Sequence, residues 1–393
     1  MAGNTMVYLD HNANSPLRPS ARRAMEHALE AGGNASSVHA AGRAARGRIE
    51  AAREQVARLA GAPPAWVVFT SGGSEANALA LRGAVAGALA AENRITRLFV
   101  CATEHESVRA NAAALAETIP GLKLSEIPVT KDGTIDSGVL RFALMQGKGR
   151  VLVSVMAANN ETGIVHDIAA IGKLVKAEGG EDALFHVDAV QAAGRIDVSF
   201  AASAADYMTL SAHKLGGPQG AGALVVRDGT PFAPQMAGGG QELGRRSGTE
   251  NVAAIAGFGA VAGETRDFTD AMAHIQVLRD RFETELKRLA PDIVIFGANV
   301  RRLPNTSNFA VPGLTAETAL IALDLDGVAV SAGAACSSGK VKPSHVLAAM
   351  GVDENLARAG LRVSFGWTNR DADVDAIIAS LRNLIARRAA LAA

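Results

Sequence analysis

The sequence predicts an α/β protein with a mainly parallel sheet covered by helices on both faces, followed by a smaller α+β part. Three observations carry this. Apolar runs of strand length alternate with stretches of helical period up to about Arg227. After about Gly263 that rhythm stops, and a long helical stretch precedes shorter strands. At 393 residues the chain also exceeds what one hydrophobic core usually organises.

The expected strands of the first part are Trp66–Thr70, Arg97–Ala102, Val151–Met156, Leu184–Asp188, Tyr207–Ser211 and Ala223–Arg227. Each is short and nearly continuously apolar, as a strand buried on both faces must be. Between them, Arg43–Ala60, Glu75–Leu89, Ser107–Ala116 and Ile168–Ala177 read as helices. Strand, helix, strand repeated in this way implies parallel pairing, and ligands then sit at the carboxyl ends of the strands. In the second part, a helix over Asp270–Leu289 precedes strands at Thr306–Val311 and Leu361–Phe365 and a terminal helix at Ala372–Ala389. The junction is helical rather than a Gly/Ser linker, so the two parts are expected to pack together.

Composition narrows the function. Lys plus Arg and Asp plus Glu are both 39, and aromatics are 4%, which argues against nucleic-acid and membrane-surface binding. Two distant cysteines make no disulfide framework, so a reducing cytosol is the expected compartment. MAGNTMVYLDHN has no basic stretch followed by an apolar run, so no signal peptide is expected. The alanine-rich Gly83–Ala91 is too short to span a bilayer.

Five segments carry candidate chemistry. In VVFTSGGSEAN (67–77) a strand ends at Ser71-Gly72-Gly73 and a helix begins at Ser74, which offers free N–H groups to an anion. A capped helix with nothing bound reads the same. In FHVDAVQ (185–191) Asp188 closes a buried strand, where an acid needs a cation or a donor such as a pyridinium N–H. A helix cap or a structural ion pair is the alternative. His186 lies two residues before it, but no third metal ligand has convincing spacing. In SAHKLGG (211–217) Lys214 follows a buried strand, a costly place for a bare ammonium but a good one for a neutral amine. Ser211 and His213 flank it, and an exposed loop lysine is the alternative. GGGQELGRRSGTEN (238–251) is a second phosphate-binding candidate through Ser247 or Thr249, or else a solvated loop. TEH (103–105) places His105 at a strand end, where a satisfied polar cap would read alike. Together these give a lysine, a strand-end acid, a strand-end histidine and two anion-binding loops. That inventory suits pyridoxal phosphate.

With YLDHNA (8–13), MAANNETG (156–163), LPNTSN (303–308) and CSSGKVKPSHVLAAMG (336–351) added, the chain resembles the cysteine desulfurases of the class V aminotransferase family, NifS/IscS branch, from residue 8 to about 370. The resemblance implies the pyridoxal phosphate-dependent transferase fold of type I. That fold has a large domain with a mainly parallel, seven-stranded-type sheet, here 16–262. A small domain, here 1–15 and 263–393, would carry the catalytic cysteine loop. The resemblance also implies the site. Lys214 would hold the cofactor covalently, Asp188 would pair with its ring nitrogen, Gln191 would reach its phenolic oxygen, and His105 would stack on the ring. Gly73, Ser74, Ser211 and His213 would bind phosphate, with Thr249 reaching in from the second subunit of a homodimer. Asn160, beside the cofactor, and Arg362 would hold the carboxylate of L-cysteine. Cys336 would accept the sulfur as a persulfide and pass it to a Fe–S scaffold or another acceptor. A transient Fe–S cluster ligated by Cys336 and the scaffold belongs to the same implication, as does a role in nitrogen fixation or general cluster assembly.

Around Cys336 the sequence is SAGAACSSGK (331–340), whose glycines and serines lower the cost of movement between substrate and acceptor. No histidine adjoins Cys336, so the thiol's activation is expected from the cleft, with His105 as the candidate. Cys101, inside RLFVCA, reads as a structural core residue. Lys342 and His345 read as caps of a helix over Pro343–Met350. Asn14-Ser15 stands where many members carry a threonine pair. GAACSSG differs from the Arg-x-Gly-His-His-Cys arrangement of the other main branch. The chain ends at LIARRAALAA without the longer tail of the housekeeping branch, which leaves the sulfur acceptor open. A selenocysteine lyase or an aminotransferase of this fold fits much of the inventory. So does an assembly protein that lost catalysis, although the presence of both Lys214 and Cys336 argues against that.

Overall fold

The structure is a computed structural model that describes residues 6–333 and 344–392. Its centre is a seven-stranded sheet in the order Val67–Thr70, Gly222–Val226, Tyr207–Ser211, Leu184–Asp188, Arg150–Met156, Ile95–Cys101, Lys123–Ile127. Gly222–Val226 runs antiparallel to both neighbours, and the other pairings are parallel. All six expected strands are present within two residues of their expected ends. The seventh, Lys123–Ile127, went unread because its sequence, KLSEI, is polar and mostly exposed, as suits an edge that must not pair further.

Alternate residues of the central strands feed two separate cores, as the twofold period of a strand requires. Val151, Val153, Val155, Phe185 and Val187 pack on one face with the helices Ala40–Ala60, Ser137–Met145, Ile168–Glu178 and Val252–Gly263. Leu152, Leu184, Tyr207 and Leu224 pack on the other with Gly73–Ala90 and Glu106–Thr118. The helices Pro19–Ala31, Ser137–Met145 and Ala316–Leu325 had no counterpart in the sequence reading.

The C-terminal part builds an antiparallel four-stranded sheet in the order Ser331–Ala332, Gly360–Ser364, Thr306–Ala310, Val294–Ile295. It has its own core, in which Phe282 meets Phe309 and Phe365 edge-on at 5.5 and 6.0 Å. Leu9 joins that core, and Val7–Tyr8 pairs in parallel with Val328–Ala329. Phe296, Leu303, Val346 and Leu347 pack instead into the core of the large sheet. The interface is therefore apolar and continuous.

Candidate active site

The carboxyl ends of Val67–Thr70, Ile95–Cys101, Leu184–Asp188 and Tyr207–Ser211 open toward one cleft. The segment 8–16 and the strand Gly360–Ser364 close its far side.

The anion cradle lies at the start of the helix Gly73–Ala90. Its intrahelical bonding begins with Ala76 N–H donating to the Gly72 carbonyl, so the N–H groups of the first turn remain for a ligand. A Cβ on Gly73 would come within 2.9 Å of Val190 Cγ2 and 3.3 Å of Ser211 Cβ, so only glycine lets the turn sit this close to the strand end. Ser211 Oγ is buried there without a hydrogen-bond partner among the described residues. An unsatisfied hydroxyl at a helix N-terminus is a donor waiting for an acceptor such as phosphate. Ser74 is exposed beside it. His213 Nδ1 lies 3.1 Å from Asn14 Oδ1, and burial, then Lys214 and Arg195, push its imidazole down to about 4, which keeps it neutral. Asn14, the departure noted in sequence, thus orients His213.

Asp188 is 5% exposed. Its Oδ2 accepts from Asn77 Nδ2 at 2.7 Å and its Oδ1 from the Val190 N–H at 3.0 Å. Asn77 also donates to Ser107 Oγ at 2.9 Å, and Ser107 Oγ lies 2.8 Å from His105 Nδ1. His105 caps the helix Glu106–Thr118, its Nδ1 accepting the Ser107 N–H, and its ring is exposed. Beside them Glu104 is fully buried, and burial together with Asp188 raises its carboxyl well above the usual range. His186, on the strand that ends in Asp188, has both ring nitrogens engaged, by Ser154 Oγ at 2.8 Å and Thr209 Oγ1 at 3.0 Å.

Lys214 Nζ donates to the carbonyls of Asn12 at 2.6 Å and Ala13 at 2.8 Å. Burial first, then the Arg195 and Arg362 charges, lower its amine to about 7. Near neutral pH a large share is therefore uncharged and nucleophilic. Gln191 Nε2 donates to the same Asn12 carbonyl at 3.0 Å, and its Oε1 accepts from Arg195. Arg362 Nη2 donates to Asp10 Oδ1 at 2.6 Å and Nη1 to the Asn160 carbonyl at 3.0 Å, while its buried Nε has no partner among the described residues. Asn12 was quoted in YLDHNA but assigned no role. Its side chain bonds Asn160, Thr306 and Asn305, and its carbonyl holds Lys214 and Gln191, so it joins the two sheets at the site. Only the packed fold shows that role.

Cys336 and Lys342 lie outside the described residues. The nearest described residues on either side meet at one side chain. Glu161 accepts the hydroxyl proton of Ser344, and a Cβ on Gly333 would lie 2.6 Å from Glu161 Oε2. Burial raises the Glu161 carboxyl to about 7. His345 is not the cap expected for the helix that follows. Ser344 caps His345–Ala349, and His345 Nε2 lies 3.0 Å from the Glu104 carbonyl oxygen.

The loop 238–251 is fixed by a buried ion pair. Arg53 Nη1 and Nη2 reach Glu242 Oε2 and Oε1 at 2.7 and 3.0 Å, and the Phe69 N–H donates to the same carboxylate at 2.8 Å. The pair holds Glu242 and Leu243 in the left-handed region, at φ 49° and 59°. Ser247 is buried beneath the loop. Thr249 is exposed, with no side-chain hydrogen bond among the described residues. Glu242→Ala leaves the buried Arg53 guanidinium with only the half-exposed Glu50 and the Val67 carbonyl, and is expected to cost about 2–4 kcal/mol. Denaturant unfolding of wild type and variant reads this directly, and a loss below about 1 kcal/mol would show that the pair is not what holds the loop.

Chemically, the cleft can hold an anion at the helix start, a hydrogen-bond donor at Asp188 and a carbonyl at Lys214. The aminotransferase class-V family model matches residues 7–377. The IscS-like cysteine desulfurase of Mycobacterium tuberculosis is 41% identical over 392 residues, covering 99% of both chains. Cysteine desulfurase IscS of Dictyoglomus turgidum is 38% identical over 381 residues, covering 96% of this chain and 94% of its own. The solved structure of a NifS-like protein from Rickettsia africae superposes with a TM-score of 0.86 at 35% identity, covering 97% of this chain and 99% of that one. A family match across nearly the whole chain, with relatives of this identity along its length, makes the protein a member of the aminotransferase class-V family, which uses pyridoxal phosphate.

Proposed function

We propose that the protein is a cysteine desulfurase that takes sulfur from L-cysteine, releases L-alanine and carries the sulfur on Cys336 as a persulfide. The observation that supports this most is the convergence of three features on one cleft. These are the lowered amine of Lys214, the buried carboxylate of Asp188 and the orphaned hydroxyl of Ser211 at a glycine-opened helix start.

These residues fit pyridoxal phosphate. Ser211, His213, Gly73 and Ser74 would hold its phosphate, Asp188 its ring nitrogen, Gln191 its phenolic oxygen and Lys214 its aldehyde carbon, with His105 over the ring. Bound there, the cofactor supplies an electron sink for the bond broken at the substrate's Cα. Asp188 keeps a proton on the ring nitrogen. The Arg362 guanidinium binds the substrate carboxylate with Asn160, exchanging its contact with Asp10. The uncharged Lys214 amine takes the Cα proton. The Cys336 thiolate attacks the substrate sulfur, and a sulfur–sulfur bond forms as the carbon–sulfur bond breaks. The released electron pair stays with the substrate carbon, which takes a proton and becomes the methyl group of alanine. Cys336 sulfur is oxidised and the substrate carbon reduced, so no outside oxidant is needed.

The same reading includes a homodimer, supported by the exposed Thr249, which makes no side-chain hydrogen bond among the described residues and would serve the second subunit's phosphate. It includes the division into 16–262 and 1–15 with 263–393, supported by the separate core around Phe282. The acceptor would be a Fe–S scaffold or another sulfur acceptor, with Cys336 a transient cluster ligand, in general assembly or nitrogen fixation. A cytosolic setting suits a free catalytic thiol, and among the described residues no helix is long and apolar enough to cross a membrane.

Purified protein loaded with pyridoxal phosphate, given L-cysteine and a thiol reductant, is expected to release alanine and sulfide in equal amounts. Cysteine consumption without alanine, or alanine only when a keto acid is added, would replace the desulfurase reading with another reaction of this family. Light scattering is expected to give twice the chain mass. A fully active monomer would remove Thr249 from the site.

A further inference from the structure

We infer that Ser107 and Asn77 are positioning residues that hold His105 in a single tautomer and tie it to Asp188, so that His105 acts as a hydrogen-bond donor rather than as the base for the thiol. The inference rests on the reading of the cleft given above and concerns which side of an imidazole does the work.

The chain of bonds admits one assignment of protons. A carboxylate only accepts, so the group of Asn77 that lies 2.7 Å from Asp188 Oδ2 is its amide nitrogen. That nitrogen's second proton goes to Ser107 Oγ at 2.9 Å. Ser107 Oγ keeps its proton and a second lone pair for the 2.8 Å contact with His105 Nδ1, and the neighbouring backbone sets the direction of that contact. The Ser107 backbone N–H, which has no alternative to donating, reaches the same Nδ1 at 3.1 Å. Two donors converge on Nδ1, so Nδ1 is bare and the ring's proton is on Nε2. His105 is exposed, and its Nε2 makes no hydrogen bond among the described residues, which leaves Nε2–H for a reacting group. A nitrogen that already carries the proton cannot take one from the Cys336 thiol. It can donate to the thiolate or to the substrate sulfur as negative charge develops there. The chain also makes the orientation of Asp188 depend on a residue of the opposite helix, since Asn77 grips one carboxylate oxygen while the Val190 N–H grips the other.

The test combines a tautomer measurement with kinetics. In 15N-histidine-labelled protein, free of cofactor and loaded, the His105 signal is identified by its loss in His105→Gln. In wild type it is expected to show a bare Nδ1 and a protonated Nε2 in both states. Ser107→Ala is expected to raise the minor Nδ1–H tautomer several-fold and to lower kcat for alanine release about tenfold with KM within twofold. Ser107→Thr, which keeps the hydroxyl, should restore both. Asn77→Ala is expected to weaken cofactor binding about tenfold. A wild-type signal with the proton on Nδ1 overturns the inference, whatever the variants do, and needs no folded variant to show it. Ser107→Ala with unchanged tautomer and unchanged kcat overturns it as well. If wild type releases no alanine, the functional reading fails while the tautomer result still stands or falls alone.

Discussion

Lys214→Ala is expected to lower alanine release by at least about 10³-fold and to leave the cofactor held without a covalent bond. Two roles are lost at once, the attachment and the base, so added amines are expected to restore little. The visible absorbance of the loaded protein should shift to that of the free aldehyde. The setting of Lys214 also predicts a pH dependence. Burial, Arg195 and Arg362 lower the amine to about 7, against the weaker opposing pull of Asp10 and Asp188. Only the uncharged amine reacts with an aldehyde, and its share rises with pH. For a value of about 7, covalent loading of cofactor-free protein should speed up roughly tenfold from pH 6 to pH 8 and then level off. An ordinary lysine would instead gain roughly 100-fold over that range and keep rising. The second pattern would show that the cleft does not desolvate Lys214 and that the chemistry of this strand end has been misread.

What could be read in advance follows a physical division. Strands buried on both faces are continuous apolar runs, and Leu184–Asp188 and Tyr207–Ser211 were therefore legible to the residue. The residues at their ends were legible too, because Asp188 and Lys214 are charges where the pattern demands apolar groups. Lys123–Ile127 was not, since an edge strand has no such pattern. The antiparallel course of Gly222–Val226 had a signal that went unused. Only the residues 212–221 separate it from Tyr207–Ser211, too few for a parallel crossover. The supports of the site were the hardest to see. Asn12, Asn77, Ser107 and Arg195 are polar residues, each with at least one partner tens or hundreds of positions away. Their importance is a matter of geometry, and neither residue type nor spacing encodes it.

Cys336→Ala is expected to abolish both products, by at least about 10³-fold, while the protein keeps its cofactor and its absorbance. The chain has two thiols, and one of them is disqualified by its surroundings. Cys101 ends the strand Ile95–Cys101, is fully buried, and lies 3.3 Å from Thr103 Oγ1. Burial first, and the nearby Glu104 second, push its thiol up to about 12, so at neutral pH it is no nucleophile. It also points into the apolar layer shared by Val153 and Phe185, where a substrate has no path. Cys101→Ala should therefore leave turnover within about twofold, losing only core packing. The remaining thiol is Cys336. The nearest described residues on either side of it, Gly333 and Ser344, both abut the Glu161 side chain, and Glu161 follows Asn160, whose carbonyl accepts from Arg362. One turnover without reductant, followed by peptide mass analysis, should find one added sulfur atom on the peptide that contains Cys336 and none on the peptide with Cys101. If Cys336→Ala turns over within about tenfold of wild type, sulfur leaves the substrate without a protein carrier. The cleft would then belong to a reaction that needs Lys214 and Asp188 but no thiol.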